Sequence, residues 1–87
     1  MTERPRARLA VPDLGLEAGP VSLSLWLVPA GARVMEGDRV VELALGGATI
    51  DLEAPVSGRL VVQFVEEDEA VAVGAVLAEF EADAGFP

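Results

Sequence analysis

The stretch that decides the fold is residues 43–52, LALGGATIDL, in which two apolar runs flank a Gly-Gly pair. This arrangement is typical of a two-residue β-hairpin, because the favoured tight turns between antiparallel strands require positive φ at central residues, which glycine adopts without strain. We therefore predict that Gly46 and Gly47 form an exposed hairpin tip and that both have positive φ.

An internal repeat surrounds this hairpin. When the chain is shifted by 37 residues, two halves align, and identical residues coincide in four pairs: Val28 with Val65, Val34 with Val71, Gly37 with Gly74 and Glu42 with Glu79. Each half reads as a strand, a turn, a short Val-x-x-Gly element and a second strand. Since neither half alone can cover its own apolar face, the repeat predicts a sandwich with an internal pseudo-two-fold axis.

The remaining pattern is also that of β-strands. Valine and leucine runs are short and are interrupted by glycine, proline or acidic turns, which favours an all-β fold. Strands are predicted at residues 9–11, 21–27, 39–45, 48–52, 58–65 and 76–81. In residues 21–27 the apolar side chains alternate with serine, so Leu25 and Leu27 are expected to face inward and Trp26 outward, as a candidate partner contact.

The amino-acid composition argues against most catalytic and metal-binding functions. The 87 residues contain no cysteine, no histidine and no lysine, since six arginines account for the whole Lys+Arg count. Without these side chains we predict no enzyme activity and no metal site. The net charge of −9 disfavours nucleic-acid binding, and no apolar run is long enough to span a membrane, so we expect a soluble cytoplasmic protein. Three arginines within residues 1–8 predict a flexible basic N-terminal arm.

Residues 9–82 resemble the biotinyl/lipoyl carrier family, and most closely the lipoyl domains of 2-oxo acid dehydrogenase acyltransferases. The resemblance is carried by VPDLG at 11–15, WLV at 26–28, EGD at 36–38, ATIDL at 48–52 and APVSG at 54–58. It implies a flattened barrel-sandwich hybrid of two four-stranded sheets, followed here by a C-terminal tail at 83–87.

The resemblance breaks at the attachment site. Lipoyl domains carry Asp-Lys-Ala at the exposed hairpin and biotinyl domains carry Met-Lys-Met, and the lysine amine forms the amide with the cofactor. In this chain Ala48 fixes the alignment, which puts Gly46 at the aspartate position and Gly47 at the lysine position. The expected cofactor is therefore none, because covalent lipoate or biotin requires the missing amine.

The densest acidic cluster is Glu66-Glu67-Asp68-Glu69. Carboxylates of this kind bind calcium in some proteins, but the cluster lacks the spacing of a calcium loop, and the repeat places it on a turn that matches residues 29–32. We expect a solvated turn.

Three hypotheses of function remain. The first is a non-catalytic, unmodified lipoyl-like module that contacts proteins such as 2-oxo acid dehydrogenase components or the lipoylation machinery. The second is a lipoyl or biotinyl carrier-type domain by descent, working with a modified lysine on another chain. The third, ranked last, is a small-ligand or metal binder that uses the acidic turn.

Overall fold

The computed structural model describes residues 4–14 and 20–83, and within them every regular element is a β-strand. The eight strands are β1 (Arg6–Ala10), β2 (Val21–Trp26), β3 (Arg33–Val34), β4 (Arg39–Leu45), β5 (Ala48–Glu53), β6 (Gly58–Gln63), β7 (Ala70–Val71) and β8 (Val76–Ala82). They form two four-stranded antiparallel sheets, ordered β1-β8-β6-β3 and β5-β4-β2-β7. The predicted all-β class and the two-sheet architecture are confirmed.

The core lies between the inner faces of the two sheets. Its largest fully buried side chains are aliphatic apart from one aromatic ring, and they are Phe80, Leu23, Leu43, Leu60 and Leu77. No polar or charged side chain is buried in the described part of the chain. Burial of each large apolar side chain contributes about 1.5–3 kcal/mol, so apolar packing between the sheets is the main stabilising term. None of the described residues forms a helix long and apolar enough to cross a membrane.

The internal repeat is present in strand bounds, bulges and turns. β2, β3 and β4 correspond to β6, β7 and β8, each beginning 37 residues later. The pairing register shifts after Leu23 in β2 and after Leu60 in β6, again 37 residues apart. Positive φ also repeats: 92° at Gly37 and 87° at Gly74. The predicted pseudo-two-fold sandwich is confirmed down to individual backbone irregularities.

The two halves are joined near the pseudo-two-fold axis by a pair of equivalent side-chain hydrogen bonds. The Trp26 Nε1–H donates to the carbonyl oxygen of Val65 at 3.0 Å, and the Gln63 amide donates to the carbonyl oxygen of Val28 at 3.0 Å. Each donor is 37 residues from the other, and so is each acceptor. The segments that leave β2 and β6 therefore cross-link the two halves.

The N-terminal residues differ from the prediction. β1 begins at Arg6 and pairs along its length with β8, so Arg6–Arg8 belong to a sheet and the predicted flexible arm is wrong for them. The pairing places Arg6 opposite Glu81 and Arg8 opposite Glu79, and these charges hold the strand in place. Residues 1–3 and the tail residues 84–87 lie outside the described residues.

Several strand ends also differ from those predicted: β2 ends at Trp26 instead of residue 27, β5 at Glu53 instead of residue 52, and β8 at Ala82 instead of residue 81. β6 ends at Gln63 instead of residue 65, because the chain leaves the sheet to make the cross-link at the axis. The two Val-x-x-Gly elements are residues 34–37 and 71–74. Each begins at the last residue of a two-residue strand, β3 or β7. β6 begins at Gly58, as predicted. A Cβ atom at this position would collide with the backbone carbonyl of Glu81, so the close approach of β6 to β8 requires glycine.

Candidate functional site

The β4–β5 hairpin is the candidate functional site. Leu45 and Ala48 form the last pair of the ladder, and Gly46 and Gly47 close the turn between them as exposed residues. Gly46 has a φ of 57°, whereas φ at Gly47 is not positive. The prediction is confirmed for Gly46 and wrong for Gly47, because the turn follows the type II′ pattern, in which only the first central residue needs positive φ.

This asymmetry separates the roles of the two glycines. The backbone at Gly46 requires glycine for an unstrained turn, because the first central residue of a type II′ turn has positive φ. The backbone at Gly47 accepts any L-residue, and a Cβ built on either glycine meets nothing within 4 Å. Position 47 therefore has the geometry that suits a projecting side chain, although none is present.

The tip supplies no reacting group. Gly46 and Gly47 have no side chains, Ala48 carries a methyl group, and no lysine occurs in the 87 residues. The residues present do not fit covalent lipoate or biotin, since attachment needs a side-chain amine at this turn. The hairpin tip presents backbone groups and no side chain to which an acyl or carboxyl group could be attached.

Trp26 points the opposite way from the prediction. A β-bulge at Ser24 shifts the pairing of β2 with β4 between Leu23 and Leu25, and the extra residue reverses the alternation. Trp26 is consequently half-buried against the core, while Leu25 and Leu27 face solvent. The predicted outward orientation of Trp26 is therefore wrong. Its role as a partner contact remains a prediction.

The acidic turn is integrated into the second sheet. The backbone N–H of Trp26 donates to the Glu67 carboxylate at 3.0 Å, and the backbone N–H of Glu66 donates to the Glu69 carboxylate at 3.0 Å. Two backbone hydrogen bonds also tie Leu23 to Asp68 and Glu69. Within residues 4–14 and 20–83 no group of three or more acidic side chains is arranged to hold a metal ion. The turn thus continues the sheet next to β2 and caps unpaired amides.

A two-sheet sandwich with a pseudo-two-fold axis and an exposed β4–β5 hairpin defines the class of biotinyl and lipoyl carrier domains. The chain belongs to this family: residues 7–80 match the biotin/lipoyl family model described as biotin-requiring enzyme.

The curated relatives point to the lipoyl branch of the family. The chain is 34% identical over 70 residues to the dihydrolipoyllysine-residue acetyltransferase component of an acetoin cleaving system from Pseudomonas putida, which covers 80% of this chain and 19% of the relative. It is 29% identical over 75 residues to a lipoamide acyltransferase component of a branched-chain alpha-keto acid dehydrogenase complex from the same species, covering 86% of this chain and 18% of the relative. The chain thus spans less than a fifth of the length of these relatives.

A solved structure supports the same fold. The chain superposes on part of a single-chain, multi-domain long-chain acyl-CoA carboxylase with a TM-score of 0.71 and 20% sequence identity, covering 97% of this chain and 8% of the carboxylase. At this identity the similarity establishes the fold alone.

Proposed function

We propose that this chain acts as a non-catalytic, unmodified lipoyl-like module that works through protein contacts. One observation carries the proposal: the carrier hairpin keeps its register and turn, but Gly47 stands where the attachment lysine is expected. On this proposal the chain keeps the surface that carrier-modifying enzymes recognise but lacks the lysine to which they attach the cofactor.

The relatives suggest which partners to test. Because they are components of an acetoin cleaving system and of a branched-chain alpha-keto acid dehydrogenase complex, we propose 2-oxo acid dehydrogenase components or the lipoylation machinery as partners. The module would act there as a scaffold, a competitor or a regulator, in the cytoplasm. The alternative is a carrier-type domain by descent that works with a modified lysine on another chain.

Incubation with a carrier-modifying enzyme tests the unmodified state. The purified protein is treated with lipoate ligase, lipoate and ATP, or with biotin ligase, biotin and ATP, and its intact mass is measured. We expect no mass increase, because the turn offers no amine. A stoichiometric lipoyl or biotinyl adduct would overturn the proposal.

Restoring the attachment lysine tests whether the lipoylation machinery recognises this chain. Gly46→Asp combined with Gly47→Lys should allow at least partial lipoylation, because position 47 accepts an L-residue and the space around both positions is open. The positive φ strains any side chain at position 46, so this variant is compared with one that keeps Gly46. The single variant Gly47→Lys tests whether the aspartate is needed. The matched control is Met35→Lys, which presents lysine at a different exposed position and should remain unmodified.

The lipoylation of the double variant tests the surface that faces the ligase, whereas the mass of the unaltered protein tests only whether it is modified. If the double variant is folded by circular dichroism and still receives no lipoate, the surface facing the ligase has diverged and the partnership with the lipoylation machinery is wrong. In a separate measurement, calorimetry compares the affinity of the unaltered chain for lipoate ligase with its affinity for a purified 2-oxo acid dehydrogenase component. The tighter complex identifies which of the two is the partner.

A further inference from the structure

The internal repeat gives this protein two outer faces with equivalent backbones and different charges. The first face is the outside of the β1-β8-β6-β3 sheet, and the second is the outside of the β5-β4-β2-β7 sheet. The 37-residue repeat relates Glu79 on the first face to Glu42 on the second. Strand pairing then relates Arg8, which pairs with Glu79, to Asp51, which pairs with Glu42.

On the first face each arginine is already engaged within the chain, although arginines outnumber carboxylates: Arg59 donates to the carbonyl oxygen of Gly31 at 2.7 Å, and the other arginines form ion pairs. Arg6 lies 3.0 Å from the Glu79 carboxylate and 3.7 Å from that of Glu81, and Arg8 lies 3.5 Å from Glu79. Farther along, Arg33 pairs with Asp83 at 2.6 Å. An incoming charged surface would have to compete with these existing ion pairs, so the first face is poorly suited to recognising charge.

On the second face the carboxylates are in excess. Glu42, Asp51 and Glu53 project from β4 and β5, and Arg39 is the one cation among the described residues of this face. Arg39 approaches Asp51 only to 3.9 Å with a largely exposed side chain, so this pair is weak.

Exposed leucines adjoin these carboxylates. The bulge at Ser24 turns Leu25 and Leu27 outward, with 45% and 39% of their surface exposed. Leu25 lies directly across the ladder from Glu42, and the backbone N–H of Leu27 donates to the carbonyl oxygen of Val40 in β4. The apolar side chains and the carboxylates therefore share one surface.

Further carboxylates surround this surface. The turn at residues 66–69 is hydrogen-bonded to β2, and Glu36 and Asp38 lie in the exposed loop that leads into β4. The second face thus combines exposed leucines with carboxylates on β4, on β5 and on the turn at residues 66–69. Such a surface attracts lysine and arginine and repels phosphate-rich nucleic acid and anionic lipid.

We propose that the outer face of the β5-β4-β2-β7 sheet is a docking surface for a protein that presents apolar side chains flanked by lysine or arginine. A second copy of this chain is a poorer fit, because each arginine of its first sheet already has a partner within the same chain. Arg4, Arg6 and Arg8 pair with Glu79 or Glu81, Arg33 pairs with Asp83, and Arg59 donates to the carbonyl oxygen of Gly31. The docking surface stands whether or not the partner belongs to a 2-oxo acid dehydrogenase system.

The test uses a defined probe and the ¹⁵N-labelled full chain. The probe is a synthetic amphipathic peptide with a leucine stripe flanked by lysines, and its matched control has glutamate in place of every lysine. On titration with the probe, amide resonances of Leu25, Glu42 and Asp51 should shift, while those of Arg8, Val62 and Glu79 stay unchanged. The glutamate peptide should cause no shifts.

Variants related by the repeat provide internal controls. Leu27→Ser should weaken probe binding about tenfold, since one leucine contact is worth roughly 1.5 kcal/mol. The corresponding variant Phe64→Ser removes an even more exposed side chain and should leave binding unchanged. Glu42→Gln should weaken binding and reduce its salt dependence, whereas Glu79→Gln changes net charge equally and should do neither.

Several results would overturn the proposal. They are shifts spread equally over both faces, shifts confined to residues 66–69, equal effects of the paired variants, or self-association of the chain that protects Leu25 in sedimentation and NMR experiments. The last result would assign the surface to a second copy.

Discussion

Single inserted residues decide which side chains this protein presents. Ser24 is the extra residue in β2, and its presence moves Trp26 toward the core while Leu25 and Leu27 move to the surface. The same device occurs after Leu60 in β6, where it positions Gln63 for the equivalent hydrogen bond across the axis. The half-buried indole therefore acts as a structural link between the two halves.

Trp26→Ala should lower the free energy of unfolding by about 2–3 kcal/mol, through lost packing and the lost Nε1–H bond to the Val65 carbonyl. Trp26→Phe keeps much of the packing and should cost about 1 kcal/mol. Urea unfolding followed by circular dichroism measures both values. A loss below about 0.5 kcal/mol for the alanine variant would mean that the ring contributes little to the core.

At the scale of elements, the edge strand β1 is attached by charge as well as by backbone hydrogen bonds. Its arginines pair across the ladder with Glu79 and Glu81 on β8. The equivalent edge strand β5 has threonine and aspartate at the corresponding positions, opposite Ala44 and Glu42. The two edges of the same fold are thus stabilised differently.

Glu79→Gln should therefore destabilise the protein by about 1 kcal/mol at low ionic strength, because Arg6 and Arg8 both lose an ion pair. The loss should shrink when salt is added, since these pairs are partly exposed. Glu42→Gln is the control at the equivalent position of the repeat and should leave stability unchanged or slightly higher. Equal losses in both variants, measured by thermal unfolding at two salt concentrations, would contradict this account.

At the scale of the whole molecule, the pseudo-two-fold axis relates the start of β1 and the end of β8 to the hairpin. Leu45 and Ala48 flank the Gly-Gly turn, and the repeat relates them to Ala82 and Pro5. The backbone N–H of Ala82 donates to the Pro5 carbonyl oxygen at 2.8 Å, so these residues are already adjacent.

A circular permutant should consequently fold. Ala82 is joined to Pro5 through Gly-Gly, and the chain is opened between Gly46 and Gly47. This leaves every strand pairing unaltered but removes the ion pairs Arg33–Asp83 and Arg4–Glu81. We expect the same far-ultraviolet circular dichroism spectrum and a stability loss of about 1–2 kcal/mol. A permutant that purifies as an unfolded monomer would show that the β4–β5 turn is required for folding.

Several features of the protein follow from local sequence. The Gly-Gly pair between apolar runs predicted the hairpin, and the repeat of 37 residues predicted two sheets related by an axis, because glycine and apolar periodicity act over a few residues. The turns at Gly37 and Gly74 follow from the same repeat. The composition alone leaves position 47 without a lysine.

Other features depend on contacts between distant segments. The alternation of β2 did not reveal the bulge at Ser24, since the register is set by pairing with β4 far along the chain. Nothing near Arg6 marks a strand, because its partners on β8 lie more than 70 residues away. The sequence by itself determined the sandwich and the bare hairpin tip. Only the tertiary structure decided which leucines face solvent and which charges are neutralised, because both depend on which strands lie side by side.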